Sequence, residues 1–121
     1  MSPNCWLIRV NSECAVCGRH QYTLSGQYDI SPGDILIFYY NDAWSEHNIA
    51  CCLAIAGEVE HRPGWDDETA VTLEDRTSIE ADLTVILQKL KKELNINIPL
   101  SKRVTPVAIF CEAILGTMLG I

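Results

Sequence analysis

Hydrophobic and polar positions follow two periods along this chain, and the period changes near Thr77. Upstream, the apolar residues come in short β-branched and aromatic runs. Cys5 to Val10 is apolar except for Arg9 and reads as a short strand. Asn11 to Ser31 is polar, broken by Gly18, Gly26 and the Cys14-x-x-Cys17 pair, and predicts a long loop or a poorly formed helix. Ser31-Pro-Gly-Asp34 is a turn signal, and Ile35-Leu-Ile-Phe-Tyr-Tyr40 behind it is the clearest strand of the chain. Asn48 to Ile55 predicts a second buried strand, Gly57 turns the chain into Glu58-Val-Glu-His61, and Ala70 to Leu73 predicts a further strand. Downstream, Ile79, Leu83, Ile86, Leu87, Leu90 and Leu94 recur at helical spacing and predict an amphipathic helix over 79–94. Thr77 and Glu80 would form its capping box. Val104 to Phe110 reads as extended, and Cys111 to Leu119, apolar nearly all round, as a buried helix. The class is α+β, an antiparallel β-sheet packed against two helices. A single domain, 1–121, is expected, with an N-terminal strand and loop over 1–30 and a core over 31–119.

Composition narrows the chemistry. With 48 % hydrophobic and 21 % charged residues, the chain is not of the disordered class. Nine Lys+Arg against sixteen Asp+Glu give a net charge of −7, which disfavours bulk phosphate binding. The cations available for a small basic patch are Lys89, Lys91, Lys92 and the Lys102–Arg103 pair. Six cysteines stand at 5, 14, 17, 51, 52 and 111. Cys51 and Cys52 would point to opposite faces of a strand and would not bond to each other. With no basic-plus-apolar leader at the start, free thiols in a reducing, cytoplasmic compartment are the expectation. The nearly uncharged stretch from Val104 to Ile121 contains Glu112 and is short for a full membrane span, so any membrane association would come from sequence beyond Ile121.

Three residues stand out as candidate chemistry: His47, His61 and Cys111. A thiol nucleophile needs a base to supply thiolate, and the base needs a third group to hold its tautomer. Cys111 would begin a helix, where unpaired amides favour thiolate, and His47 would open a strand. Pro32-Gly33-Asp34, the apolar strand after it, His47, and then Gly57-x-Val59-x-His61, with Cys111 far downstream, resemble the NlpC/P60 papain-like proteins. The order of histidine before cysteine is similar to the circularly permuted branch, with its lecithin:retinol acyltransferase-like and picornaviral H-box/NC members. The resemblance implies a permuted papain-like fold and a thiol hydrolase or acyltransferase. Cys111 would be the nucleophile, His47 the base and His61 the orienting residue, and the partner an acyl lipid or a membrane-linked protein. Phe110 stands where that group has Asn before the cysteine, which leaves open a degenerate member acting through binding.

A second resemblance points elsewhere. Cys5-Trp-Leu-Ile-Arg-Val-Asn-Ser-Glu13, Pro32-Gly-Asp-Ile-Leu-Ile-Phe-Tyr-Tyr40 and Trp65-Asp-Asp67 resemble EVE domains, PUA-like modules that hold a modified base in an aromatic pocket. That reading implies a base- or RNA-binding module with Tyr39, Tyr40, Asn41 and Trp65 as the pocket. Cys14-x2-Cys17-x2-His20 has ligand-like spacing for zinc, but a single knuckle is outweighed by a plain loop with free thiols. No metal or cofactor is therefore expected. Trp6 and Trp44 read as packing residues, and Lys89 to Glu93 as the solvated face of a helix.

Overall fold

The computed structural model describes residues 4–11, 15–64, 67–100, 102–107 and 111–119. Six strands, β1 (Cys5–Arg9), β2 (Gln21–Ser25), β3 (Ile35–Asn41), β4 (Asn48–Arg62), β5 (Glu68–Asp82) and β6 (Val104–Pro106), form one sheet in the order β2-β5-β4-β3-β1-β6. Helix α1 (Leu83–Leu94) follows β5, and α2 (Cys111–Leu119) follows β6. The sheet is mixed, not purely antiparallel. β1 and β3 pair in parallel, with Cys5 opposite Ile35 and Arg9 opposite Tyr39. A parallel pair needs a long crossover, and the polar stretch read as loop supplies it, carrying a 3₁₀ turn (Val16–Gly18) and β2 on the way.

Register shifts mark β3 and β4 between Phe38 and Tyr39, and three more interrupt the long β4–β5 pairing. Each adds twist and bend, and the sheet curls into a half-barrel. Its concave face encloses one core, with Trp6, Ile8, Leu24, Leu36, Phe38 and Val71. The convex face carries a second, in which Leu7, Ile37 and Tyr39 meet Leu83, Ile86 and Leu90 of α1 and Ile114 of α2. Burial on both faces explains why β1 and β3 are continuously apolar and do not alternate.

The helix begins later than its period predicts. β5 runs to Asp82, so Thr77 and Glu80 lie in a strand and form no capping box. Asp82 is the cap, its carboxylate accepting from Val85 N at 3.0 Å. Ile79, Ala81 and Leu83 alternate toward the convex-face core; a β period running into a helix start mimics one longer helical stripe. At the other end Asn95 takes the left-handed conformation, φ 55°, and its N–H returns to Leu90 and Lys91 carbonyls.

The thiols also differ from expectation. Cys17 in the 3₁₀ turn is disulfide-bonded to Cys52 in β4, Cys5 and Cys51 each take part in a disulfide as well, and among the described residues no cysteine is free. Cys17 is therefore no zinc ligand, and no described cluster of His, Cys, Asp and Glu is placed to hold a metal. Cys51 is the extra residue of the bulge between Ala50 and Cys52. The bulge suspends strand alternation, so both adjacent cysteines join the concave core. One buried carboxylate fastens the start of the sheet: Asp34, after the Pro32–Gly33 turn, accepts from Trp6 Nε1 at 3.0 Å, Ser31 N at 2.9 Å and Asn4 N at 3.2 Å.

Candidate functional site

Strand direction gathers charge at one end of the half-barrel. β1 finishes in Arg9, and antiparallel β6 starts just after Lys102 and Arg103, so three cations meet where these strands pair. Arg9 N donates to the Arg103 carbonyl at 2.8 Å, and Val10 N to the Tyr39 carbonyl at 2.8 Å, which fixes the backbone there. Arg9, Val10, Asn11, Lys102 and Arg103 line a cavity of about 380 Å³. Val10, Asn11 and Arg103 also line a second cavity of about 230 Å³, closed on its far side by Val16, Arg19 and Tyr22. The two share a wall and form one cleft between the edges of the curled sheet.

That far side is held by few fixings. Val16 is buried, the neighbouring Cys17 is cross-linked to Cys52, and the Arg76 guanidinium donates to the Arg19 carbonyl. Tyr22 packs edge-on against Phe38, ring centres 5.1 Å apart. The cleft thus combines an aromatic and apolar inner wall with a cationic rim. Arg9, Arg19, Lys102 and Arg103 are four of the nine Lys and Arg in the chain, and among the described residues no carboxylate lines either cavity. In a molecule of net charge −7 this is a local excess of positive charge.

The convex face behind Arg9 holds two unsatisfied groups. Tyr39, paired with Arg9, and Thr105, paired with Leu7, are buried, and their hydroxyls have no hydrogen-bond partner. Burial pushes the Tyr39 phenol above its ordinary value, and the nearby Arg9 charge partly offsets this.

The residues expected from sequence are spread over the molecule. His47, at the start of β4, lies against Asp82, Nδ1 to Oδ2 2.7 Å. His61, near the other end of the same strand, is exposed and stands opposite Thr69. The structure does not bring these two histidines together. Cys111 begins α2, and its side chain lies outside the described residues. Of the alternative pocket, Tyr39 faces the convex core while Tyr40 packs against the concave one. Neighbouring residues on a strand point oppositely, so the two tyrosines cannot line one pocket. Asn41 is exposed and bonds to Asn48 Oδ1 at 3.2 Å and to the Glu46 carbonyl at 3.3 Å; Trp65 lies outside the described residues.

Of the cleft, only Lys102 and Arg103 were in view as a basic pair. Arg9 and Arg19 are remote in sequence, and curling of the sheet brings them in. The one local signal was Arg9 itself, the lone charge closing an apolar strand.

In fold the chain is similar to a tyrosine-to-phenylalanine mutant of ZmASCH from Zymomonas mobilis, with a TM-score of 0.65, 12 % identity and 97 % of each chain covered. It is also similar to a hypothetical protein from Leishmania major, with a TM-score of 0.61, 15 % identity, and 98 % of this chain and 94 % of that one covered. These two structures share the fold of this chain. No family model matches the sequence, and no curated protein matches it. The likeness extends over nearly the whole chain and is one of architecture. Among the described residues no helix is long and apolar enough to cross a membrane.

Proposed function

We propose that this chain is an RNA-binding module of the PUA-like kind, which takes a nucleotide of the RNA in the cleft between Arg9, Arg19, Tyr22, Lys102 and Arg103. The observation that carries the reading is the gathering of four of nine cations around two adjoining cavities, one of them walled by Tyr22, in an acidic molecule. Guanidinium groups suit phosphate because their donors form a planar fork, and the Tyr22 ring offers a base a surface to stack on. Asn11 and Thr23, between the two, can donate to or accept from base edges. The ASCH/PUA-like architecture supports the class of module.

The thiol hydrolase or acyltransferase reading, with an acyl lipid as partner, gains no support from either source. The structural relatives are ASCH/PUA-like, and His47 is oriented by Asp82 instead of His61.

Binding of a fluorescent single-stranded RNA tests the proposal. Arg9→Ala with Arg103→Ala is expected to weaken it by tenfold or more, about the loss for two charge-assisted contacts. Lys89→Ala with Lys92→Ala, on the exposed side of α1, should change it little. Equal loss from the two pairs would mean that only overall charge matters, and no binding by the unaltered protein would refute the reading.

A further inference from the structure

Trp44 is 96 % exposed, the most solvent-open large apolar side chain among the described residues, where the sequence led us to expect a packing residue. It sits on the β3–β4 connection, and that connection is held rigidly. The Asp42 carboxylate accepts from Ser45 Oγ at 2.8 Å and from Trp44 N at 3.4 Å. Glu46 N donates to the Asp42 carbonyl and Asp42 N to the His47 carbonyl, each at 2.8 Å. His47 N donates to Ser45 Oγ at 3.2 Å, and the His47 ring is tied to Asp82. Glu46 adopts φ 60° to close the turn, a conformation that costs a non-glycine residue free energy. The strained backbone works against stability, the exposed indole adds nothing to it, and the network holds the turn in that form. Such pre-ordering lowers the entropic cost of binding at this position.

The loop leaves the same end of the sheet as the cleft. Val10 N is bonded to the Tyr39 carbonyl, so Asn11, which lines both cavities, lies about one strand spacing from Asn41. Three further residues lead to Trp44, which places its backbone within about 16 Å of the cleft rim. A strand of a few nucleotides running out of the cleft would cover that distance. Asp42 and Glu46 flank the indole. Its bond to Ser45, ahead of the weaker opposing cost of burial, holds the Asp42 carboxyl below its ordinary value, so the loop is acidic at neutral pH. Carboxylates repel phosphates but not the face of a base, so a strand would touch this loop through a base while its backbone follows the basic rim.

We infer that Trp44 is a stacking platform for a second base of the RNA, so the ligand is a single strand of several nucleotides and not a free nucleotide. This rests on the RNA reading of the cleft. The test compares Trp44→Ala and Trp44→Phe with the unaltered chain, using a single-stranded RNA of about six nucleotides and a nucleoside monophosphate. Trp44→Ala should weaken the oligonucleotide about five- to hundredfold, Trp44→Phe should retain most of the affinity, and the monophosphate should bind all three equally. Indole fluorescence should be quenched by the oligonucleotide, and that quenching should vanish in Trp44→Ala. Oligonucleotide affinity unchanged in Trp44→Ala would overturn the inference while leaving the cleft reading intact. Failure of the unaltered chain to bind either ligand would overturn both.

Discussion

Asp82 does two jobs with its two carboxylate oxygens. Oδ1 caps α1 through Val85 N, and Oδ2 holds the His47 ring. Burial alone would raise its pKa, but the His47 and Val85 bonds outweigh this and hold it below the ordinary value. A depressed carboxylate stabilises the folded state above the unfolded pKa, and that contribution is lost as pH falls through the folded one. Thermal unfolding is therefore expected to show a loss of stability beginning near pH 4 and growing below it, reduced in Asp82→Asn. An identical acid profile for the two proteins would separate Asp82 from this effect. At this same scale the sequence was read well at Asp34 as a turn residue and poorly at Cys51. A bulge is a tertiary accommodation between strands, and the run Asn-Ile-Ala-Cys-Cys-Leu-Ala-Ile carries no glycine to betray it.

Among the elements, the 3₁₀ turn depends most on one bond. It has three residues, no side-chain cap and only Val16 buried, yet it forms one wall of the cleft. The Cys17–Cys52 bridge closes a segment of 35 residues, for which loop closure gives a stabilisation of about 2–4 kcal/mol. Cys17→Ala with Cys52→Ala should lower unfolding stability by that order in urea titration and weaken RNA more than its stability cost explains, through Arg19 and Tyr22. A double variant as stable as the original would show that the bridge does not constrain this turn. The strands β1 and β3 and both helices were legible from hydrophobic runs and periods, whereas β2 was not. Its sequence, Gln-Tyr-Thr-Leu-Ser, is mostly polar because only Leu24 is fully buried on this edge strand. The parallel pairing of β1 was equally hidden, since period-two patterning does not encode strand direction.

For the whole molecule, the separation of charge matters more than its sum. A net charge of −7 disfavours nucleic acid when charge is counted along the chain, but the fold brings four of the nine cations to one rim. This part of the site was not legible, because it is a product of sheet curl and not of spacing. The acidic remainder limits non-specific attraction, so RNA affinity should fall with added salt with a log–log slope near −2 to −3, as for about three or four phosphate contacts to a single strand. Arg103→Ala should make the slope shallower by about one. A salt-independent affinity would exclude phosphate contact at the rim.

The place of β1 between β3 and β6 bears on how this protein is made. β1 leaves the ribosome before the rest of this sheet yet is among the last of its strands to be completed, since its outer edge is covered by residues 104–106. At roughly 5–20 residues per second, β1 waits about 5–20 s for that partner. Through that interval its Cys-Trp-Leu-Ile edge is an open template for pairing with other nascent chains. The strand that finally covers it is three residues long and ends in Pro106, which has no amide hydrogen to offer a further strand. β6 is thus both the closing stitch of the sheet and the stop that keeps one finished molecule from adding to the next.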